Sequence, residues 1–481
     1  MFLRDNTVFV PVDDPNLAEE RTANGQLDME RRLSTFDEVE FTYTEEEALA
    51  EAGRCLGCPT HWCSKACPAG VPVTEFIARV RAKDYEGAYQ LIRTASTLPE
   101  MCSRVCPQER QCQSNCTRGV RTQSVGIGRL ERFVAEQHYK SGKGEASALS
   151  TGKRVAVVGS GPSGLSAAQR LAGMGHEVTV YEASDRPGGL LEYGIPNMKL
   201  EKGVVNRKVE AMKAQGVQFR TGVTVGEAEA KSLTADYDAV VLCGGTGNAR
   251  TLKLEGAEGV QGIYPAVEFL TANTKALLDG GEPISAKGKH VVIVGGGDTG
   301  SDCVGTSIRH GCASVTQIEM LPEHPGRPLI SSPRPQKAPE AKTDHSQEEC
   351  KSVFGRDPHV YQTTVKAVQA DGSGRIQAVV TVDLEAGYDK ERRLVMREIP
   401  GTERTLPCQL LIIAAGFLGP KPELAQAFGV ETTGRGTIAG YATNVKKVFA
   451  CGDCRTGQSL VVKAMVDGRD CADAVAKFLG K

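Results

Sequence analysis

Two stretches of this chain each carry a complete strand, glycine turn, helix and second strand, and that pattern admits few folds. The first is RVAVVGSGPSGLSAAQRLAGMGHEVTVYEA. Arg154–Val158 reads as a strand, and Gly159, Gly161 and Gly164 follow it at the spacing G-x-G-x-x-G. In a dinucleotide site the first glycine makes the tight turn, the second lets the backbone approach a pyrophosphate, and the third lets helix pack on strand. The pyrophosphate then rests on the helix N-terminus, beside Pro162 and Ser163. Glu182 closes the next strand, 18 residues after Gly164, where a carboxylate reaches ribose hydroxyls. The second stretch, HVVIVGGGDTGSDCVGTSIRHGCASVTQIE, repeats the plan. Val291–Val294 is the strand, Gly295, Gly297 and Gly300 form the turn, Asp298 and Thr299 open the helix, and Glu319 lies 19 residues after Gly300. A lone glycine motif is weak evidence, and a turn that merely joins strand to helix would explain it. Two full patterns with acids at nearly equal offsets predict two dinucleotides, one for each box.

The second constraint is cysteine. Of 16 in the chain, eight fall between Cys55 and Cys116. They form two groups, Cys55-x2-Cys58-x4-Cys63-x3-Cys67-Pro68 and Cys102-x3-Cys106-Pro107-x4-Cys112-x3-Cys116. The opening residues, MFLRDNTVFVPVDDP, have no apolar core after a basic start. The longest apolar stretch, around Leu410–Leu418, is too short for a membrane span. The expected location is therefore the reducing cytoplasm, where clustered cysteines bind metal or carry redox chemistry rather than pair as disulfides. The first group differs from the ferredoxin run C-x2-C-x2-C-x3-C-P only by two residues before its third Cys. Eight thiolates in two quartets suit two 4Fe-4S clusters, one soft ligand per iron. Two structural zinc sites are the alternative, but zinc knuckles usually come as separate C-x2-4-C pairs. His61 and Trp62 lie inside the first loop, and His61 reads as a surface histidine rather than a ligand.

The rest of the pattern sets the order of domains. The spacing predicts helices over Thr44–Gly53, Pro72–Lys83, Tyr85–Ser96 and Ile127–Tyr139, with no clear strand in the first 140 or so residues. SGKGEASALSTGK (141–153) reads as a linker, and PEHPGRPLISSPRPQKAPE (322–340) as a long surface loop. Residues 360–415 alternate as strands do, and the tail from Lys447 gives a strand, a turn and a helix. The predicted fold class is α/β. A helical iron–sulfur domain (1–145) precedes two Rossmann-like nucleotide-binding domains, one in two segments (153–285 and 420–481) and the other (286–419) inserted into it. Lys plus Arg number 57 against 59 Asp plus Glu, so no basic excess points to nucleic acid or an anionic membrane. With 8 His and no Ser/His/Asp set in view, chemistry is expected of cofactors, not of side-chain acid–base groups.

This order resembles flavoproteins of the disulfide-reductase kind, in which FAD takes the first box and a nicotinamide the inserted second. That resemblance implies a late return to the flavin, which KVFACGDCRTGQSLVV supplies. Asp453, after Gly452, would take a ribityl hydroxyl. The helix from about Gln458, Ser459 and Leu460 would point at the flavin ring, with Gly189 and Leu190 also at the FAD. Cys451-x-x-Cys454 has dithiol spacing, yet its middle residues are the Gly-Asp of the flavin motif, so both cysteines read as packing residues. NADH or NADPH stays open: Glu319 favours NADH by repelling a 2′-phosphate, whereas Arg309, near the end of the same helix, favours NADPH.

Taken together, the paired cysteine groups, GSGPSGL, the block Gly188-Gly189-Leu190-Leu191-x-Tyr193-Gly194-Ile195-Pro196-x-x-Lys199-Leu200, GGGDTGSD, AAGFLGP and GDCRTGQSLVV resemble the small (β) subunit of glutamate synthase over essentially the whole chain. Dihydropyrimidine dehydrogenase and the large subunit of bifurcating ferredoxin:NADP transhydrogenases share the module. The resemblance implies an electron path from nicotinamide hydride through FAD and two 4Fe-4S clusters to a glutamate synthase large (α) subunit. There L-glutamine and 2-oxoglutarate become L-glutamate. It also implies interleaved ligation: Cys55, Cys58, Cys63 and Cys116 hold one cluster, and Cys67, Cys106 and Cys112 the other. The fourth ligand there is Glu131 in the GIGRLE stretch, with Cys102 the thiolate alternative. Residue 2 is Phe, not the cysteine nucleophile of a glutamine amidotransferase, so ammonia transfer is expected of the partner. The same module also serves transhydrogenase and sulfide dehydrogenase complexes, and a metal-binding scaffold without activity is a third alternative that the intact boxes oppose. Lys421 and Lys463 depart from the family pattern, which often has Glu and Trp there.

Overall fold

In the computed structural model, residues 14–144, 148–323 and 344–480 are described. Before Arg154 they form helices and no strand: α1 (Met29–Ser34), α2 (Glu45–Gly53), α3 (Trp62–Ala66), α4 (Val73–Arg81), α5 (Tyr85–Arg93), α6 (Pro99–Val105) and α7 (Ile127–Lys140). Thr44 caps α2 through a reciprocal pair with Glu47, satisfying backbone N–H groups that would otherwise lack partners. Asp84 caps α5 by accepting from Gly87 N at 2.9 Å. The apolar faces of α4, α5 and α7 bury Phe76, Ile77, Tyr89, Ile92, Leu130 and Phe133 in one core. The predicted helix over 72–83 stops at Arg81, and Lys83 takes a left-handed φ of 58°.

The α/β part begins with β1 (Arg154–Val158), α8 (Pro162–Gly173), β2 (Glu177–Tyr181), α9 (Leu190–Tyr193), α10 (Lys202–Ala214), β3 (Gln218–Arg220), α11 (Glu227–Asp236) and β4 (Ala239–Leu242). Next come β5 (Asn248–Ala249), β6 (Ile263–Pro265), α12 (Ala266–Asp279), β7 (His290–Val294), α13 (Asp298–Arg309), β8 (Ser314–Ile318), α14 (His345–Phe354) and β9 (His359–Val360). A meander follows: β10 (Thr363–Ala370), β11 (Ile376–Tyr388), β12 (Leu394–Glu398) and β13 (Arg404–Pro407). The chain closes with β14 (Leu410–Ile413), β15 (Phe417–Gly419), α15 (Pro422–Ala427), β16 (Val448–Ala450), α16 (Asp453–Thr456) and α17 (Val461–Phe478).

The first parallel sheet runs β16-β4-β1-β2-β3 and the second β6-β14-β7-β8-β9. Because β16 pairs with β4, the second unit is inserted between them. Its edge differs from the sequence reading: β6, at 263–265, pairs with β14, so the second sheet starts upstream of residue 286. The alternating stretch also divides. β10 and β11, buried on one face, pair antiparallel in the separate meander, whereas the wholly apolar Leu410–Ile413 enters the parallel sheet. Of the Pro-rich stretch 322–340, only 322 and 323 fall within the described residues. Among the described residues no helix is long and apolar enough to cross a membrane.

The helical region packs on the first nucleotide unit through a shared core that takes in Leu98, Leu165, Leu171 and Met465. Thr97 Oγ1 donates to Ser166 Oγ at 2.7 Å, and Ser166 Oγ to Met465 O at 2.6 Å. α17 crosses α8 closely: a Cβ on Gly468 would lie 2.1 Å from Ser163 O.

Candidate functional site

At the first box, Gly159 has φ 101°, and a Cβ there would lie 2.4 Å from Cys243 O. A Cβ on Gly164 would lie 2.0 Å from Gly159 O, so turn and helix meet backbone to backbone. Gly161 differs. Its φ of −64° suits any residue, and a Cβ there would meet nothing within 4 Å. A side chain at Gly161 would fill open space at the N-terminus of α8, the room a pyrophosphate needs. Glu182 Oε2 accepts from Ser160 N at 2.9 Å and Ser160 Oγ at 2.5 Å, while Oε1 accepts from Ser184 N at 2.8 Å. A Cβ on Gly189 would lie 2.9 Å from Gly161 Cα, which brings the Gly189–Leu190 turn over the same cradle.

The tail returns to this place. A Cβ on Gly452 would come within 2.2 Å of Ser163 Oγ, and Gly452 N donates to Asp467 Oδ2 at 2.7 Å. Asp453 accepts from Ser459 Oγ at 2.6 Å, and burial raises its carboxyl. Gln458 Oε1 accepts from Phe417 N at 2.8 Å, and Leu460 caps α17. Cys451 and Cys454 do not pair with each other. Cys451 Sγ lies 3.3 Å from Cys243 Sγ, while Cys454 Sγ donates to Leu242 O at 3.3 Å and Cys451 O at 3.1 Å.

The second box reproduces the first. Gly295 has φ 130°, with a Cβ position 2.4 Å from Ala414 O, and a Cβ on Gly300 would lie 2.1 Å from Gly295 O. Gly297 is open like Gly161. Glu319 accepts from Gly296 N at 3.0 Å and Leu321 N at 2.8 Å. Arg309 departs from the reading that gave it a 2′-phosphate. Its side chain is 1% exposed. It donates to Glu349 at 2.6 and 3.0 Å and to Thr35 O at 2.9 Å. Those partners hold it against α14 and the end of α1.

A cavity of about 540 Å³ joins the second box, the tail and the cysteine region. Asp298 and Thr299 of the second box, Gln458–Val461 of the tail, and Leu190 line it, and so do Cys106 and Gln108.

The cysteines sort into two neighbourhoods. Cys55, Cys58, Cys63 and Cys116 line one small void, and burial pushes Cys55 up to about 11 and Cys63 to about 12, with the neighbouring thiols adding to it. The charge of Glu131 raises the thiols of Cys67, Cys106 and Cys112 beyond what burial does, and Cys102 adds to Cys67 and Cys106. Both candidates for the last ligand therefore stand in one place. Burial, then Glu100, pushes the Glu131 carboxyl up to about 8. Among the described residues no three of His, Cys, Asp or Glu converge closely enough for a single metal ion. The donor set is soft and desolvated. Buried thiols keep their protons unless a cation takes the proton's place, and an iron–sulfur cluster is such a group. His61 corrects the sequence reading. It is buried, not at the surface, with Nδ1 2.7 Å from Thr74 Oγ1.

Sequence reasoning also passed over Lys199, Asp302, Asp344 and Asp467. Lys199 stood in a quoted motif but without a role. A buried Asp467 inside an amphipathic helix leaves no signal, because its partners, Gly452 and Arg455, are identified only by the fold. Lys421 is exposed, its stem beside Gly247, and Lys463 is exposed near the start of α17.

Residues 32–143 match the family model described as dihydropyrimidine dehydrogenase domain II, 4Fe-4S cluster. Residues 127–233 and 153–468 match pyridine nucleotide-disulphide oxidoreductase. The chain is 36% identical over 468 residues to the glutamate synthase (NADPH) small chain of Bacillus subtilis, covering 93% of this chain and 94% of that one. It is 34% identical over 467 residues to the Escherichia coli small chain, 93% and 95% covered. Glutamate synthase (NADH) of Schizosaccharomyces pombe is 38% identical over 467 residues, 94% of this chain, but the chain spans only 22% of that longer protein. In fold, Mycobacterium tuberculosis FprA in complex with NADPH superposes with a TM-score of 0.54 at 18% identity, over 68% of this chain and 85% of that one. With a 4Fe-4S domain followed by a pyridine-nucleotide oxidoreductase fold, the chain belongs to the glutamate synthase small-chain family of NAD(P)H-dependent flavin oxidoreductases.

Proposed function

We propose that the chain is the electron-input subunit of a glutamate synthase, feeding a large subunit that makes L-glutamate from L-glutamine and 2-oxoglutarate. FAD accepts a hydride and releases single electrons, and 4Fe-4S clusters carry those electrons onward. The observation that carries this reading is the one cavity walled by the second glycine box, the start of α17 and Cys106.

In this reading Gly159, Gly161 and the N-terminus of α8 cradle the FAD pyrophosphate, Glu182 takes its ribose, and Asp453 its ribityl chain. Gly295, Gly297 and Glu319 do the same for the nicotinamide dinucleotide. Cys67, Cys106 and Cys112, with Glu131, hold the cluster beside the cavity. Cys55, Cys58, Cys63 and Cys116 hold a second cluster at the exit. With Arg309 occupied by Glu349, the carboxylate of Glu319 favours NADH over NADPH.

The test is to mix the purified chain with a glutamate synthase large subunit. NADH oxidation that requires both glutamine and 2-oxoglutarate supports the proposal. NADH oxidation indifferent to the large subunit favours the same module with another partner. An Escherichia coli relative described as the putative oxidoreductase AegA, 33% identical over 95% of this chain and 69% of that one, gives that second reading substance.

A further inference from the structure

One segment, Gly188 to Lys202, is held at both dinucleotide sites. At its start, Gly188 N donates to Ser160 Oγ at 3.0 Å, on the first glycine turn, and Gly189 lies against Gly161. Near its end, the Lys199 ammonium meets Asp302 of α13, within the second box, and Asp344, the cap of α14, at 3.2 Å. In between, Lys202 Nζ donates to Leu191 O at 2.8 Å and Ile195 O at 2.6 Å, closing the segment on itself. The N-terminal region holds it too: Asn197 Nδ2 donates to Phe36 O at 2.8 Å, and Val39 N to Met198 O at 2.9 Å. The middle of the segment, including Leu190 and Ile195, walls the shared cavity.

We propose that Lys199 is a positioning residue, which by tying this segment to α13 and α14 sets the distance and angle at which a nicotinamide ring meets the flavin. The inference rests on the function proposed above and gives the Gly188–Leu200 motif a task. Lys199 acts through Asp302, which sits on the same helix as Gly300, four residues after Asp298. Burial works against its charge, but Asp302 and then Asp344 outweigh that, so the ammonium persists above the ordinary lysine range. Removing it leaves two carboxylates, each 7% exposed, facing one another without a cation between them. Repulsion and desolvation then favour a shifted α13. A misplacement of about 1 Å between reacting groups costs on the order of a hundredfold in rate.

The test uses the full-length holoprotein: anaerobic stopped-flow reduction of the flavin by NADH in wild type, Lys199→Met and Lys199→Arg. Flavin content and the nicotinamide dissociation constant are measured on the same preparations. Lys199→Met should lose about tenfold or more in the limiting rate, with binding changed by less than about threefold and flavin content intact. Lys199→Arg should recover most of the rate. A wild-type rate in Lys199→Met overturns the inference, and so does a loss that falls wholly on nicotinamide binding. If Lys199→Met does not fold or loses flavin, Asp344→Asn keeps the Asp302 pair and should slow the reaction several-fold, and an unchanged rate overturns the inference. A wild-type flavin that neither NADH nor NADPH reduces contradicts the proposed function itself, and this inference with it.

Discussion

Glu182 and Glu319 hold the same position in two separate units: each carboxylate accepts the backbone N–H of the residue after its first box glycine, Ser160 at 2.9 Å and Gly296 at 3.0 Å. The acid at the end of the second strand thereby braces the glycine turn. Two copies of one device stand at the two glycine turns, and the second turn lines the cavity through Gly297, Asp298 and Thr299.

The open space at Gly161 and Gly297 separates the sites. A Cβ at Gly161 meets nothing within 4 Å, so flavin-free Gly161→Val should keep its stability to within about 1 kcal/mol. Flavin content should fall by about tenfold or more as the side chain occupies the cradle. Gly297→Val should keep its flavin and lose nicotinamide binding. Flavin absorbance per chain and a nicotinamide titration read both outcomes, and a yellow Gly161→Val protein would contradict the assignment.

On the proposed assignment coenzyme choice rests on Glu319 and not on Arg309. The wild type should use NADH with a higher kcat/KM than NADPH. Glu319→Gln, by removing a negative charge from the ribose site, should narrow that preference by roughly tenfold. Arg309→Met should leave the ratio unchanged, since its guanidinium serves Glu349, and steady-state kinetics with the two coenzymes decides.

The last ligand beside Cys67, Cys106 and Cys112 is testable by iron content. Glu131→Ala should lower iron and the visible iron–sulfur absorbance by about half, whereas Cys102→Ala should leave both near wild type. The reverse pattern would assign the position to Cys102.

Glu136 offers a pH signature. Burial raises its carboxyl, but Arg207 and Arg104 outweigh that and bring it to about 2, joining α7 to α10 and α6. Because the folded value lies below the ordinary carboxylate range, its stabilisation is full above that range and fades as pH falls toward 2. Glu136→Gln should therefore cost on the order of 3 kcal/mol at pH 7. In urea unfolding the gap to wild type should shrink progressively below pH 5, and a gap that grows with acid would contradict the assignment.

The boxes, the cysteine quartets and the helices carrying Phe76, Tyr89 and Phe133 were legible because each depends on local spacing. The short helices α1, α3 and α6 were not, because each presents too few apolar positions for a period to show. β6 went unread for a similar reason: three residues, Ile263–Pro265, make a strand only because β14 arrives from far along the chain to pair with them. Arg309 and His61 were misread for want of partners that sequence does not pair, Glu349 and Thr74. Lys199 was visible as a motif member, but its work depends on Asp302 and Asp344, about 100 and 145 residues away in sequence.

On the proposed function, hydride electrons entering at the shared cavity leave one at a time through the cysteine groups. Low-temperature electron paramagnetic resonance of the anaerobic holoprotein after NADH addition tests it directly. The wild type should show flavin bleaching together with the signal of reduced 4Fe-4S clusters, and Cys106→Ser should show bleaching with that signal much diminished. Flavin bleaching in the wild type with no iron–sulfur signal would contradict it.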